Sequence, residues 1–418
     1  MKLRNILSIA AVGTALALGA QTVKPGIEVL RDMDFAPLKG KRVGLITNPT
    51  GVDNSLKSTI DILHEAPDVE LVGLYAPEHG VRGDVHAGDH VDNFVDPATG
   101  VTVYSIYGKS RKPSPEMLKD VDVLIYDIQD IGCRSFTFIS TMGLGMEACA
   151  ELGKQFMVLD RPNPVGGNKV EGNLVEDSCV SFVSQFPIPY VYGLTPGELA
   201  EYLNDEGLLG GGAKVDLTVI PMEGWTRDMS FRETGMPWVL PSPHIPNPEA
   251  AILYPMTGIL GEINYMNIGV GYTEPFKLFC ASWVDADALS KRLNALNLPG
   301  IMFRPIHIKP FYGFGKGENL QGVEIYVTDK EKAPLSLTQF YVMQELADMY
   351  PDHKAFETAD PKRFSMFDKV TGSKEIRRRF AKRAQGGGHH RLLEQGRRRL
   401  QGQVSEILQI QVIIFCCI

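Results

Sequence analysis

From residue 42 to residue 160, short apolar runs alternate with stretches of helical period. Arg42–Thr47, Val69–Tyr75, Val101–Tyr107, Val121–Tyr126 and Phe156–Leu159 read as strands. Between them, residues 55–65 place Leu56, Ile60 and Leu63 on one helical face, Pro115–Lys119 opens a short helix, and Phe138–Leu152 reads as a longer one. Strands alternating with helices predict a parallel, doubly wound α/β sheet.

Beyond a Pro-rich hinge, Phe186-Pro187-Ile188-Pro189, the pattern changes. A capped helix starts at Thr195-Pro196-Gly197-Glu198 and runs to about Glu206, followed by a strand at Val215–Ile220. A long Pro-, Gly- and Asn-rich stretch covers 221–280; helix 285–296, strands near 301–308 and 322–328, and helix 336–349 close the unit. This predicts a smaller, mixed α+β second domain. The expected division is a targeting segment at 1–20, a catalytic α/β domain at 21–185, a cleft-closing α+β domain at 186–384, and an aberrant tail at 385–418.

Both ends stand apart from the folded body. Lys2 and Arg4 precede an apolar run, Ile6–Leu18, that is too short to span a bilayer, and small residues follow. This reads as a secretory signal cleaved near Ala20, so the mature chain is expected in a periplasm or outside the cell. From Gln385 onward no structural period is visible, and the chain finishes in the apolar run Val412–Ile418. The codons of Gly386–His390, read one base later, permit an amphipathic helix. A frameshift near residue 385 is therefore expected, and the tail carries no functional argument.

Composition narrows the function. With 44% hydrophobic and 22% charged residues, the chain is an ordinary globular protein rather than a fibrous or disordered one. Residues 374–418 hold ten Lys and Arg against three acids, leaving about −15 of charge on residues 1–373. An acidic body of that size repels phosphate backbones, which argues against a nucleic-acid partner. The six Cys show no C-x-x-C spacing, so no zinc ribbon or redox motif is indicated. Neither a P-loop nor a G-x-S-x-G elbow occurs, and Gly143-x-Gly145-x-x-Ala148 lies inside a predicted helix, where close packing explains it better than a dinucleotide. No cofactor and no stable membrane partner are expected.

In open α/β sheets ligands bind outside the carboxyl ends of the strands. Here those ends carry Thr47-Asn48, Glu78-His79, Asp127-Ile128-Gln129-Asp130 and Asp160-Arg161-Pro162-Asn163. Glu78 follows an apolar strand and precedes His79-Gly80, which places a carboxyl at the mouth of the crevice, where it suits a general acid. Residues 77–92 also hold His79, Asp84, His86, Asp89, His90 and Asp92, enough donors for a divalent metal in a metal-dependent hydrolase such as an amidase or esterase. A Cys133–His nucleophile pair and a non-catalytic sugar-binding module are further alternatives. In the second half, Trp238–Asn247 and Gly261–Asn267 are not regular structure, and their aromatic and amide groups suit sugar faces and hydroxyls.

Five ordered motifs carry a family resemblance: Asn48-Pro49-Thr50-Gly51, Pro77-Glu78-His79-Gly80 with Arg82-Gly83, Asp127-x-Gln129-Asp130-x-Gly132-x-Arg134, Asp160-Arg161-Pro162-Asn163-Pro164 and Pro241-Ser242-Pro243. Over residues 23–384 the chain resembles the NamZ-type exo-β-N-acetylmuramidase family. The resemblance implies a Rossmann-like domain, a smaller partner domain, a site in the cleft between them, and removal of terminal N-acetylmuramic acid from non-reducing ends of peptidoglycan fragments. It implies Glu78 as the catalytic acid, with Asp127, Asp130 or Asp160 activating water, stabilising the transition state, or orienting the substrate's own N-acetyl group. Arg134 and Arg161 are candidates for the lactyl carboxylate. Asn48, His79, Arg82, Gln129, Asn163, His244, Glu262 and Asn264 are candidates for the rest of the sugar. The chain departs from the family's pattern at Tyr192, His244 and Val270.

Overall fold

The computed structural model describes residues 22–83, 93–108 and 110–384. The expected signal segment, the tail, and residues 84–92 of the expected metal loop lie outside the described residues.

The first half is built on seven strands: β1 (Lys41–Thr47), β2 (Val69–Ala76), β3 (Phe94–Val95), β4 (Thr102–Ser105), β5 (Val123–Asp127), β6 (Gln155–Leu159) and β7 (Asp216–Ile220). They lie in the order β3-β4-β2-β1-β5-β6-β7. All neighbours pair in parallel except the short edge strand β3, which is antiparallel to β4. The central strands are apolar on both faces because both faces are covered. Val43 and Leu45 of β1 and Val123 and Ile125 of β5 pack beneath α1 (Gly26–Asp32) and α2 (Thr59–Glu65). Ile46, Leu124 and Tyr126 point the other way. They meet α3 (Pro115–Leu118), α4 (Phe138–Leu152) and α5 (Pro196–Asp205). The two glycines of α4 are packing residues: a Cβ on Gly143 would stand 2.0 Å from the Phe186 ring, and one on Gly145 2.9 Å from Ile46.

Chain order runs outward from β1 through β2 to β4, then returns to β5 on the other side. The topological switch point therefore falls between β1 and β5, and the crevice outside their carboxyl ends is the expected ligand site.

The strand at 216–220, expected in the second unit, is β7 of this sheet, paired with β6 from Gln155↔Asp216 to Leu159↔Ile220. The hinge prolines turn the chain without ending the first domain. The second unit holds α6 (Pro248–Gly261), β8 (Leu278–Ala281), α7 (Ala286–Asn294), β9 (Ile301–Ile308), β10 (Leu320–Val327), α8 (Leu335–Met349), α9 (Ala355–Thr358), α10 (Phe364–Thr371) and α11 (Lys374–Ala384), with an antiparallel sheet ordered β8-β10-β9. Helix α6 lies inside the stretch that the composition suggested was irregular. Asn247 caps it through Ala250 N at 2.9 Å, Pro248 starts it, and Pro255 interrupts its interior. Buried Gln339 of α8 stitches that interruption, donating to the Pro255 carbonyl at 2.8 Å and accepting from Leu260 N at 3.0 Å. The core of the second unit continues into Ile131, Cys133, Tyr190 and Val191 of the first, so the two halves share one apolar interface.

Candidate active site

Each strand end delivers a short polar segment to the switch-point edge, and the hydrogen bonds sort these residues into two kinds. Asp127, at the end of β5, accepts from Arg161 Nε at 2.5 Å and Nη2 at 3.0 Å, and from the Thr59 hydroxyl at 2.5 Å. Both side chains of this bidentate pair are at most 2% exposed. Arg161 spends its remaining reach on the Val52 carbonyl at 2.8 Å. The pair braces the ends of β5 and β6. Asp160 accepts from Gly197 N at 2.8 Å, Arg161 N at 3.0 Å and the Thr195 hydroxyl at 2.9 Å, clamping the start of α5. Burial raises its pKa to about 7, against the pull of those donors.

Asp130 is also buried. Oδ1 takes the Tyr192 hydroxyl at 2.5 Å and Gly132 N at 2.9 Å, and Oδ2 has no hydrogen-bond partner among the described residues. Desolvation lifts its pKa to about 7. Three more buried polar atoms at this edge lack partners among the described residues: Asn48 Nδ2, Gln129 Oε1 and the Tyr126 hydroxyl. Asn48 Oδ1 holds the β1 turn through Thr50 N at 2.9 Å, while Gln129 Nε2 donates to the Asp130 and Pro162 carbonyls. Asn163 supports the neighbouring loop, donating to the Leu194 carbonyl and accepting from Val165 N.

Arg134 is fully buried and fully used. It donates to Ser184 Oγ and to the carbonyls of Asn173, Ile188, Val370 and Thr371. The last two sit at the end of α10, so this arginine ties the two halves together and has no donor directed at a sugar carboxylate. Arg82 pairs bidentately with Asp96 at 2.8 and 2.9 Å and reaches Asp61, bracing its loop.

Glu78 differs from the three aspartates. It is half-buried, at the end of β2, followed by His79 in the left-handed region with φ 75°. Its Oε1 accepts the Tyr107 hydroxyl at 2.8 Å and its Oε2 the Thr137 hydroxyl at 3.4 Å. Tyr75 donates instead to the Met117 carbonyl in the sheet core. Tyr107 follows β4, and Thr137 precedes α4. Both were missed from the sequence, although Tyr107 ends a predicted strand and Thr137 directly precedes a predicted helix. Across the cleft, Tyr254 of α6 shares a 3.2 Å hydroxyl contact with Ser135 and packs edge-on to Phe136. Burial above all, with the charges of Cys133, Glu262 and Glu78 adding to it, keeps the Tyr254 hydroxyl protonated.

His244 comes from the second unit. Burial first, and the charge of His79 second, lower its pKa, and its Nε2 meets the Tyr312 hydroxyl at 2.9 Å. The charge of His79, from the first half of the chain, thus acts on His244, from the second. Glu262 follows α6, with its carboxyl raised by burial and its carbonyl accepting from Arg363 Nε. Asn264 is an exposed turn residue with φ 49°, a conformation Asn tolerates, which explains its place without a ligand.

Cys133 is buried, with its thiol pushed up to about 11, so it is not a poised nucleophile. Among the described residues no group of three or more His, Cys, Asp or Glu is placed to hold a metal ion. No described helix is long and apolar enough to cross a membrane.

A doubly wound sheet with a second unit packed against it, and a half-exposed glutamate beyond a strand end held by two hydroxyls, has the build of an α/β enzyme. Comparison with known proteins gives the family. Residues 43–249 match the N-terminal part, and residues 252–404 the C-terminal part, of exo-β-N-acetylmuramidase NamZ. The chain is 46% identical over 355 residues to the peptidoglycan β-N-acetylmuramidase NamZ of Bacillus subtilis (strain 168), covering 85% of this chain and 83% of that one. Two crystal structures of DUF1343 family proteins from Bacteroides fragilis NCTC 9343 are also similar. One has a TM-score of 0.84 at 62% identity, covering 87% of this chain and 92% of that one. The other has a TM-score of 0.64 at 29% identity, covering 88% and 92%. The chain belongs to the NamZ family of exo-β-N-acetylmuramidases.

Proposed function

We propose that this chain hydrolyses the β-glycosidic bond of terminal N-acetylmuramic acid at the non-reducing end of peptidoglycan fragments, with Glu78 as the general acid. Family membership supports the substrate and reaction class. The observation that carries the assignment is that Glu78 is the strand-end carboxylate left for chemistry: Asp127 is locked to Arg161, Asp160 clamps α5, and Asp130 is sealed beneath the surface. Tyr107 and Thr137 aim the Glu78 carboxyl, which passes its proton to the departing oxygen as the anomeric carbon gains oxocarbenium character.

Asp127 and Asp160 are committed to the scaffold. This favours attack on the anomeric carbon by the substrate's own acetamido oxygen over attack by a water that either aspartate would activate. His79, which follows Glu78, and His244 from the second unit are the side chains offered to the sugar's hydroxyls. The N-terminal segment suits export, so the enzyme would act on wall fragments in the periplasm or outside the cell, consistent with a part in wall recycling.

The test is release of free N-acetylmuramic acid from a defined N-acetylmuramic acid–N-acetylglucosamine disaccharide. Release that survives a chelator supports the glycosidase. Release abolished by the chelator would favour the metal-dependent hydrolase, and binding without release a sugar-binding module.

A further inference from the structure

Outside the catalytic cleft, the second unit presents an aromatic surface that the hydrolysis of a terminal sugar does not use. Residues 309–317 form a glycine-rich loop between β9 and β10, on which Phe311 is 67% exposed, Tyr312 49% and Phe314 39%. Exposed aromatic groups concentrated on one loop are uncommon unless they bind something. The loop is built to hold them. Phe311 N donates to the Gly271 carbonyl at 2.7 Å, and Asn267 Nδ2 donates to the Phe314 carbonyl at 2.8 Å. Gly271 has φ +93°, and a Cβ there would stand 1.9 Å from the Tyr312 carbonyl oxygen, so the two loops interlock only with glycine at that position.

The Phe311 ring lies nearly parallel to Tyr272, with centroids 6.1 Å apart and planes 15° apart. The two rings border a groove of about 840 Å³, with Lys309, Asn319 and Gln321 among its other lining residues. Lys309 makes no ion pair with a described residue. Tyr312, next to Phe311 in the chain, stacks on His244 with ring centroids 6.1 Å apart, and His244 feels the charge of His79, the residue after Glu78.

We propose that this strip is an extended glycan-binding site that holds the sugars on the leaving side of the cleaved bond. The inference rests on the muramidase reading. An enzyme that holds the terminal sugar beside Glu78 leaves the rest of the chain to run out over its surface, and the Tyr312–His244 contact leads from that side of the molecule to the Phe311 loop. Aromatic faces suit the apolar faces of pyranose rings, and the Asn319 and Gln321 amides suit hydroxyl and acetamido groups. Lys309 offers a positive charge, on an otherwise acidic body, to the carboxylate that every second sugar carries.

The full chain with Glu78→Gln, and the same chain with Phe311→Ala added, are titrated with a linear tetrasaccharide of alternating N-acetylmuramic acid and N-acetylglucosamine, and with N-acetylmuramic acid alone. The proposal expects Phe311→Ala to weaken the tetrasaccharide about tenfold relative to the monosaccharide, the size of effect of one lost aromatic face. Phe311→Tyr, which keeps the ring, should restore the ratio. No change in the ratio, or equal weakening of both sugars, overturns the proposal. Failure of the muramidase reading is seen separately, as absence of sugar release by the chain with Glu78 intact.

Discussion

The Tyr107 hydroxyl donates to Glu78 Oε1 at 2.8 Å, joining the residue after β4 to the residues after β2 at the mouth of the cleft. Burial, followed by the hydrogen bond and charge of Glu78, holds this phenol protonated, so it acts as a fixed donor. The bond sets where the carboxyl points. Tyr107→Phe should lower kcat on a chromogenic N-acetylmuramic acid glycoside by roughly tenfold, with a smaller change in KM, as expected for loss of aim rather than loss of substrate contact. Steady-state kinetics on the folded variant checks this.

Asp127 and Arg161 should behave as scaffold. Breaking a buried ion pair by removing one partner leaves the other charge uncompensated, at about 3–5 kcal/mol. Asp127→Ala should therefore move the denaturant midpoint sharply downward by that free energy. A variant that stays as stable as the parent but loses turnover would return Asp127 to the chemistry.

Arg134 makes an analogous prediction for the interface. Its guanidinium reaches the Val370 and Thr371 carbonyls from a buried site, so Arg134→Met leaves several carbonyls without donors. Thermal unfolding should come at a lower temperature. Among molecules that remain folded, KM for substrates with and without the lactyl carboxylate should change alike.

Strand positions were legible because the physics that sets them is local. Arg42–Thr47 and Val121–Tyr126 are apolar on both faces, and few structures other than a covered parallel strand accept that pattern. The strand-end rule then pointed to the edge where Asp127, Asp130 and Asp160 lie. Roles at that edge were not legible. Asp127 and Arg161 end adjacent strands but lie 34 residues apart in the chain, and nothing local says that they consume each other. Helix α6 was hidden because it is apolar on most sides and carries Pro255, so periodicity gave no signal and composition argued for loops. Its Tyr254, which reaches Ser135 across the interface, was hidden with it. The place of β7 in the first sheet depended on a long-range pairing that no hinge motif reveals.

Asp160 gives a pH signature. Its folded pKa of about 7 exceeds the ordinary 3.8 because it is buried, so the native state prefers the neutral acid. Its contribution to stability is complete below about pH 4 and is lost as pH rises through about 7. Asp160→Asn removes the titration while keeping an oxygen for Gly197 N. Unfolding free energy measured from pH 5 to pH 8 should fall with pH in the parent and fall less steeply in the variant. Asp130, with the same shift, contributes a slope of the same sign, so the double variant should be flatter still.

The central claim is that Glu78 is the acid that releases the terminal sugar, and the most direct measurement is turnover of the N-acetylmuramic acid–N-acetylglucosamine disaccharide by the Glu78→Gln protein beside its unfolding midpoint. The account predicts at least a hundredfold loss of kcat, the scale of a general acid's contribution, at an unchanged midpoint. Activity within tenfold of the parent, in a protein equally well folded, would contradict it.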